Sequence, residues 1–379
     1  MIPVCEPTLS GNEIKYAEEC IKSGWVSSSG KFIKEFEDGF SEYCGVKYGV
    51  SCSSGTAAIH LAIESMGIGK GDEVIIPTFT MVGACNAVIY SGAKPVLVDS
   101  EFETWNMDAS KIEEKITKKT KAVMVMHTYG HPADMDEIKN ISKDHNIPII
   151  EDAAEAHGAE YKGKKAGSLG DIACFSYYAN KIITCGEGGM VVTNNEKWAE
   201  RASLLKNHFF GKTRFLHEEI GYNYRLTNLQ AAIGLAQFER IEQLISARRK
   251  NAKFYNKLLS NVNGMTKPPE AAWAKNVYWM YGILIEGEFG RTMPELRDRL
   301  YKKGIDTRTF FIGMHKQPAY KKSKENDGRY DERFPDTYGS YPVADALERK
   351  GCYLPSSSHL TKEQITFIAN SIKEIKEEL

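Results

Sequence analysis

Residues Phe175–Val192 read FSYYANKIITCGEGGMVV: an aromatic, strand-like run, a turn carrying Lys181, a glycine cluster, and a return to β-branched residues. A buried ammonium loses hydration worth several kcal/mol or drops its pKa, so a lysine at the mouth of a buried strand is normally paired or used. The plain alternative is a surface lysine that lays its stem along the protein and keeps its charge in water. The rest of the chain decides between the two.

Short β-branched runs alternate with helical patterns through the first half: YGVSCS, DEVIIPTF, KPVLVDS, KAVMVMHTYG, IPIIEDAA and DIACFSYY are separated by segments of helical spacing. That rhythm predicts an α/β fold with a mixed, mostly parallel sheet flanked by helices, and such sheets bind ligands at the carboxyl ends of their strands. From Thr227 a long helix is predicted, capped by Thr227 or Asn228 and linking two domains. The tracts VYWMYGILIEG and GIDTRTFF read as strands, MPELRDRLYKKG and TKEQITFIANSIKEIKEEL as helices, so a smaller α+β domain follows. With 379 residues two domains are expected, a large one over 1–245 and a small C-terminal one over 246–379. The polar tract KKSKENDGRYDERFPD reads as an exposed loop.

A net charge of -1, from 49 basic and 50 acidic residues, leaves no electrostatic footprint for nucleic acid or an anionic membrane. Small molecules and other protein chains are the expected partners. Eight cysteines are scattered without a C-x-x-C pair, a pattern suited to a reducing cytoplasm. No run approaches the ~20 apolar residues of a membrane span, and the N-terminus lacks the basic start of a signal peptide.

Four features follow predicted strands. Ser53, Ser54, Gly55 and Thr56 end one strand and open a helix, offering backbone N–H groups to a phosphate; an ordinary helix cap explains them equally well. Asp152 ends an apolar strand, with Glu151 ahead and Glu155 and His157 behind; it needs a cation, such as a protonated ring nitrogen, or local backbone donors. Ser176 closes a third strand just before Lys181. The loop GYNYRLTN is aromatic and polar and is placed to reach a partner chain. A phosphate cradle, an acid for a pyridine nitrogen and an amine for an aldehyde together describe the needs of pyridoxal 5′-phosphate. The chain has no G-x-x-x-x-G-K-[ST] and no dinucleotide glycine fingerprint. His127 and His131 in HTYGHPADM suggest a zinc pair only weakly, since the segment reads as a loop; no metal site is expected.

SGTAAIHLA, EDAAEAHG, FSYYANKIITCGEGGMVVTN and GYNYRLTNLQAAIGLAQ resemble the motifs of the DegT/DnrJ/EryC1/StrS sugar aminotransferases, which have the type I fold of pyridoxal-phosphate enzymes. The likeness extends from IPVCEPTLSGNE and GWVSSSGKFIKEFE to LPSSSHLTKEQI, and it runs most closely toward the members that aminate C4 of GDP-4-keto-6-deoxymannose. It implies that Lys181 is the lysine joined to the cofactor and Asp152 the acid under its ring nitrogen. It also implies that Glu155 stands where many relatives have a glutamine facing the ring hydroxyl. Ser176, Gly55 and Thr56 match phosphate contacts, and Asn223 matches an asparagine that reaches the phosphate from the neighbouring subunit of a homodimer. His315 and Tyr320, in GMHKQPAY, resemble a tract near the sugar. Met81 replaces the aromatic ring that many relatives stack on the cofactor, and Cys185 replaces a common threonine, with a packing role expected.

By that resemblance glutamate is the amino donor, a nucleotide-linked keto sugar the acceptor, and the freed lysine the base. Family 3-dehydratases carry histidine at the lysine position, so Lys181 favours amine transfer. A cofactor-binding regulator without turnover, transfer to C3 or C4 of a UDP- or dTDP-linked sugar, and a nicotinamide-dependent oxidoreductase are the alternatives.

Overall fold

The computed structural model describes residues 1–211, 213, 215–321 and 331–378. Nine of its strands fall in the first half. They are β1 (Tyr48–Cys52), β2 (Glu73–Pro77), β3 (Lys94–Val98), β4 (Thr120–Met126), β5 (Ile149–Asp152), β6 (Glu160–Tyr161), β7 (Lys164–Lys165), β8 (Ile172–Ser176) and β9 (Gly189–Thr193). Seven of them form the main sheet in the order β1-β9-β8-β5-β4-β2-β3. β3, β2, β4, β5 and β8 pair in parallel, and β9 runs antiparallel between β8 and β1. The mixed, mostly parallel sheet expected from the sequence is therefore present. Every residue of β5, β8 and β9 is buried, which is why these strands read as continuous apolar runs rather than alternating ones.

Helices cover both faces. α1 (Glu13–Ser23) and α2 (Lys31–Cys44) pack on α7 (Asn228–Phe238), while α3 (Gly55–Ser65) lies against α4 (Val82–Tyr90) and α6 (Glu196–Leu205). α5 (Met135–His145) precedes β5. The single long helix predicted from Thr227 is two: α7 ends at Phe238, and α8 (Ile241–Leu258) starts anew past Arg240, whose φ of -115° leaves the helical range. Thr227 caps α7 through a reciprocal capping box with Gln230.

Three further segments contain β10 (Met265–Thr266), β11 (Ala274–Lys275), β12 (Tyr281–Ile285), β13 (Arg308–Thr309) and β14 (Gly351–Leu354). β10-β12-β14-β13 form a second sheet, and β11 joins β6 and β7 in a third. Of VYWMYGILIEG only Tyr281–Ile285 is strand; Val277–Met280 run irregularly into the interior. GIDTRTFF supplies only Arg308–Thr309. The predicted helices appear as α9 (Met293–Lys302) and α11 (Lys362–Glu377), with α10 (Pro342–Lys350) leading into β14. A separate apolar cluster joins α8, α9, α11 and this sheet through Tyr255, Ile283, Leu296, Ile368 and Ile372. The N-terminal segment runs along this second body: Ile2 bridges Ile305, and Ser356 N–H donates to Val4 O. Most of the polar tract after Tyr320 lies outside the described residues.

Two local devices hold the sheet's carboxyl edge. Glu151 is fully buried: Oε1 accepts the N–H groups of Leu169 (2.7 Å) and Gly170 (2.6 Å), and Oε2 accepts Gly167 N–H (2.9 Å) and faces His127 Nε2 (2.9 Å). It fastens the β7–β8 turn to β5. Gly189 sits against the start of α3, where a Cβ would meet Ser54 O at 2.2 Å, so only glycine lets β9 approach the α3 N-terminus. Glu151→Gln turns an acceptor toward donors into a donor among donors, and is expected to cost about 3 kcal/mol in urea unfolding at pH 7. Gly189→Ala is expected to displace the α3 start and cost about 2 kcal/mol or more in the same measurement.

Candidate active site

Six strand ends point their following loops to one edge of the sheet, and a cavity of about 350 Å³ opens there. It is lined by Gly55 and Thr56 after β1, Met81 after β2, Asp152 and Glu155 at the end of β5, Ser176 at the end of β8, and Lys181 in the loop beyond. Seven of the residues singled out in the sequence are thus neighbours in space. A larger cleft, of about 760 Å³, lies beside β12 and α9, away from these groups. Its lysines Lys316 and Lys350 are paired with Glu348 and Glu286.

The Lys181 loop is fastened to itself. Lys181 N–H donates to Tyr178 O (2.9 Å), Tyr177 exchanges with Gly188 O and Cys185 N–H, and Thr184 Oγ1 donates to Tyr177 O (2.8 Å). Cys185 is buried, with Sγ 3.0 Å from Glu187 O, and burial pushes its thiol pKa up. The loop therefore presents Lys181 inward: Nζ lies 4.0 Å from Glu155 Oε1 and 3.9 Å from the centre of the Trp279 ring.

Burial lowers the pKa of Lys181, against the pull of Glu155 and Asp152. Burial likewise raises Glu155 to about 8, opposed by Lys181 and by the Tyr129 N–H, which donates to Glu155 Oε2 at 2.8 Å. Tyr129 makes that bond from a left-handed backbone, φ 53°, a strained setting for a bulky residue. The other oxygen of Glu155 is left to the cavity. Asp152 has its pKa raised by burial, and among the described residues its carboxylate accepts only the backbone N–H of Ala154, at 3.2 Å. A buried carboxylate so poorly supplied suits a cationic N–H placed in the cavity. His157 is fully buried against Phe175 and Tyr177, and neither ring nitrogen has a hydrogen-bond partner among the described residues. Burial and then the Lys181 charge lower it to about 3, so the ring is neutral.

At the opposite wall Ser54 caps α3, its Oγ accepting from Ala57 N–H at 3.1 Å. The N–H groups of Gly55 and Thr56 have no acceptor among the described residues and face the cavity with the positive end of the helix. A Cβ on Gly55 would stand 2.7 Å from the Ser176 Cβ, so the serine hydroxyl is held close to those amides. Amine, carboxylate and anion-binding helix end are the donor set that pyridoxal phosphate requires, and the residues fit it.

His315 and Tyr320, expected near the sugar, lie elsewhere, and Asn223 is expected at a neighbouring subunit's phosphate rather than in this cavity. Asn223 is exposed and bridges Asn207 on the surface, away from this cavity. His315 is buried behind it: Nδ1 is 2.7 Å from Thr78 Oγ1, Nε2 3.1 Å from Asp345 Oδ1, and the ring lies on Tyr341. Tyr320 is also buried, its hydroxyl donating to Asn86 Oδ1 at 2.6 Å. These two do not line the cavity because local partners occupy their polar atoms; His315 instead ties its segment to the β2–α4 loop that carries Met81. His127 and His131 are committed too, His127 to Glu151 and Ala133 N–H, His131 to Pro132 O and Ala271 N–H. Trp279, Phe311 and Tyr353 line the cavity without having been singled out: the first two come from segments read only as strands, and the segment of Tyr353 carries no motif.

No helix among the described residues is long and apolar enough to cross a membrane. Residues 7–373 match the model of the DegT/DnrJ/EryC1/StrS aminotransferase family. The chain is 44% identical over 375 residues, 98% of each chain, to GDP-perosamine synthase of Escherichia coli O157:H7. It is 34% identical to the dTDP-3-amino-3,4,6-trideoxy-alpha-D-glucose transaminase of Streptomyces venezuelae, covering 92% of this chain and 89% of that one. Among solved structures, Spr1654 of Streptococcus pneumoniae in its PLP form superposes with a TM-score of 0.90 at 26% identity, covering 100% and 99% of the two chains. The protein belongs to the DegT/DnrJ/EryC1/StrS family of pyridoxal-phosphate-dependent sugar aminotransferases.

Proposed function

We propose that this enzyme transfers the amino group of L-glutamate to C4 of GDP-4-keto-6-deoxymannose, giving GDP-perosamine. The observation that carries the choice is the 44% identity to GDP-perosamine synthase across nearly the whole of both chains, against 34% to the dTDP-sugar transaminase. The latter supports the second reading, transfer to a dTDP-linked sugar. The eight unpaired cysteines support a cytoplasmic setting.

In this reading Lys181 holds the cofactor through Nζ, Asp152 keeps the proton on its ring nitrogen, and Glu155 faces the ring hydroxyl. Gly55 and Thr56 N–H and the Ser176 hydroxyl would hold the phosphate, and the Met81 thioether would be the apolar contact offered to the ring. When bound, pyridoxal phosphate supplies the electron-withdrawing ring that takes up the charge left at the donor's α-carbon. Nζ, when not joined to the cofactor, would be the proton carrier, accepting the α-proton of glutamate and returning a proton on the way to the sugar. Burial favours the neutral form that Nζ needs to accept that proton. Asn223, exposed on this chain, serves the phosphate of a second copy, so the active unit is a homodimer.

Protein loaded with cofactor is expected to show a visible band that glutamate bleaches and a 4-keto nucleotide sugar restores; a band indifferent to glutamate would support the regulatory alternative. Lys181→Ala is expected to lower kcat at least about 10³-fold, and Asp152→Asn about 10²-fold, in a glutamate-dependent amination assay. On a panel of GDP-, UDP- and dTDP-linked 3-keto and 4-keto sugars, GDP-4-keto-6-deoxymannose is expected to lead in kcat/KM by about 10²-fold. A dTDP-linked sugar in first place would replace the reading.

A further inference from the structure

Lys181 Nζ does not end in open cavity. It rests over the indole of Trp279, 3.9 Å from the ring centre, and that ring is 3% exposed. Trp279 is fixed once through its ring and once through its backbone. Its Nε1–H donates 2.8 Å to the carbonyl of Asn180, the residue before the lysine, so ring and lysine backbone are tied directly. The Trp279 carbonyl accepts 2.7 Å from Nη1 of the buried Arg248, which also donates to Ser356 O at 2.7 Å. Irregular backbone before β12 is thereby held in place across two segments.

An aromatic face attracts an ammonium and is indifferent to a neutral amine, and the attraction grows when water is excluded. The amine of a transaminase must be both in turn. We propose that Trp279 is the positioning residue for Lys181: its indole face is where Nζ rests whenever it is free of the cofactor, aimed into the cavity and stabilised while it carries the proton taken from the amino donor. The proposal rests on the reading of Lys181 given above. Glu155 and Asp152 at the β5 end, Cys5 from the N-terminal segment, Tyr353 from β14 and Glu187 from the lysine's own loop also face this region. The two carboxylates and Cys5 favour the charged amine as the ring does, and burial opposes them all.

The test uses cofactor-free protein and the rate at which it captures pyridoxal phosphate, followed by visible absorption across pH. Capture needs neutral Nζ, so its midpoint reports the amine. Among the described residues Trp279 is the one tryptophan of five that carries a cation on its face. Replacing tryptophan biosynthetically by mono-, di- and trifluorotryptophan weakens the ring face without changing its shape. The midpoint is expected to fall stepwise, by about one pH unit in total, and to stay constant in the same series on Trp279→Phe protein. Trp279→Leu is expected to lower kcat about tenfold with KM for glutamate within about twofold, and Trp279→Phe to recover most of that loss. A midpoint unmoved by fluorination, or moved equally in Trp279→Phe, overturns the placement of Trp279 while leaving Lys181 in its role. Wild-type protein that captures no cofactor overturns both.

Discussion

An amine and two carboxylates share a space from which water is largely removed, and most of the structure around them serves that arrangement. Each of the three charges is costly to bury alone. Together they lower the cost for one another, yet not fully: the pKa of Lys181 is held down by burial while those of Glu155 and Asp152 are held up. Burial thus works against the charged form of all three groups, and their mutual attraction works for it.

The surroundings answer that constraint residue by residue. Tyr129 accepts a strained backbone to give Glu155 one firm hydrogen bond, leaving the second oxygen toward the amine. Glu151, one position before Asp152, is satisfied by three backbone N–H groups and a histidine, so the pair Glu151–Asp152 divides its work between anchoring the sheet and facing the cavity. Alternation along a strand sends adjacent side chains to opposite faces, and that geometry alone separates the two roles.

The sheet and the main site were legible because both depend on local pattern. Buried strands show as apolar runs, and Asp152 and Ser176 end strands while Gly55, Thr56 and Lys181 stand in the segments that follow them, at the edge where such sheets take ligands. What the sequence hid depends on distant contacts. The break between α7 and α8 lies within one continuous helical pattern, Trp279 reaches the lysine from a segment that reads as strand, and His315 and Tyr320 are drawn off by Thr78, Asp345 and Asn86. Nothing in the spacing of those residues foretells their partners.

The antiparallel strand β9 closes the loop that carries the lysine. Both ends of that loop are sewn into neighbouring strands, and β9 in turn lies beside β1, the strand that leads into α3. The root of the loop, Ser176, is thereby brought against the first residue of α3, where a Cβ on Gly55 would meet the Ser176 Cβ at 2.7 Å. Ile182, Ile183, Thr184 and Cys185 are buried inside the loop while Tyr178 and Glu187 face outward, so sequence change that spares the lysine's setting is confined to those outward positions.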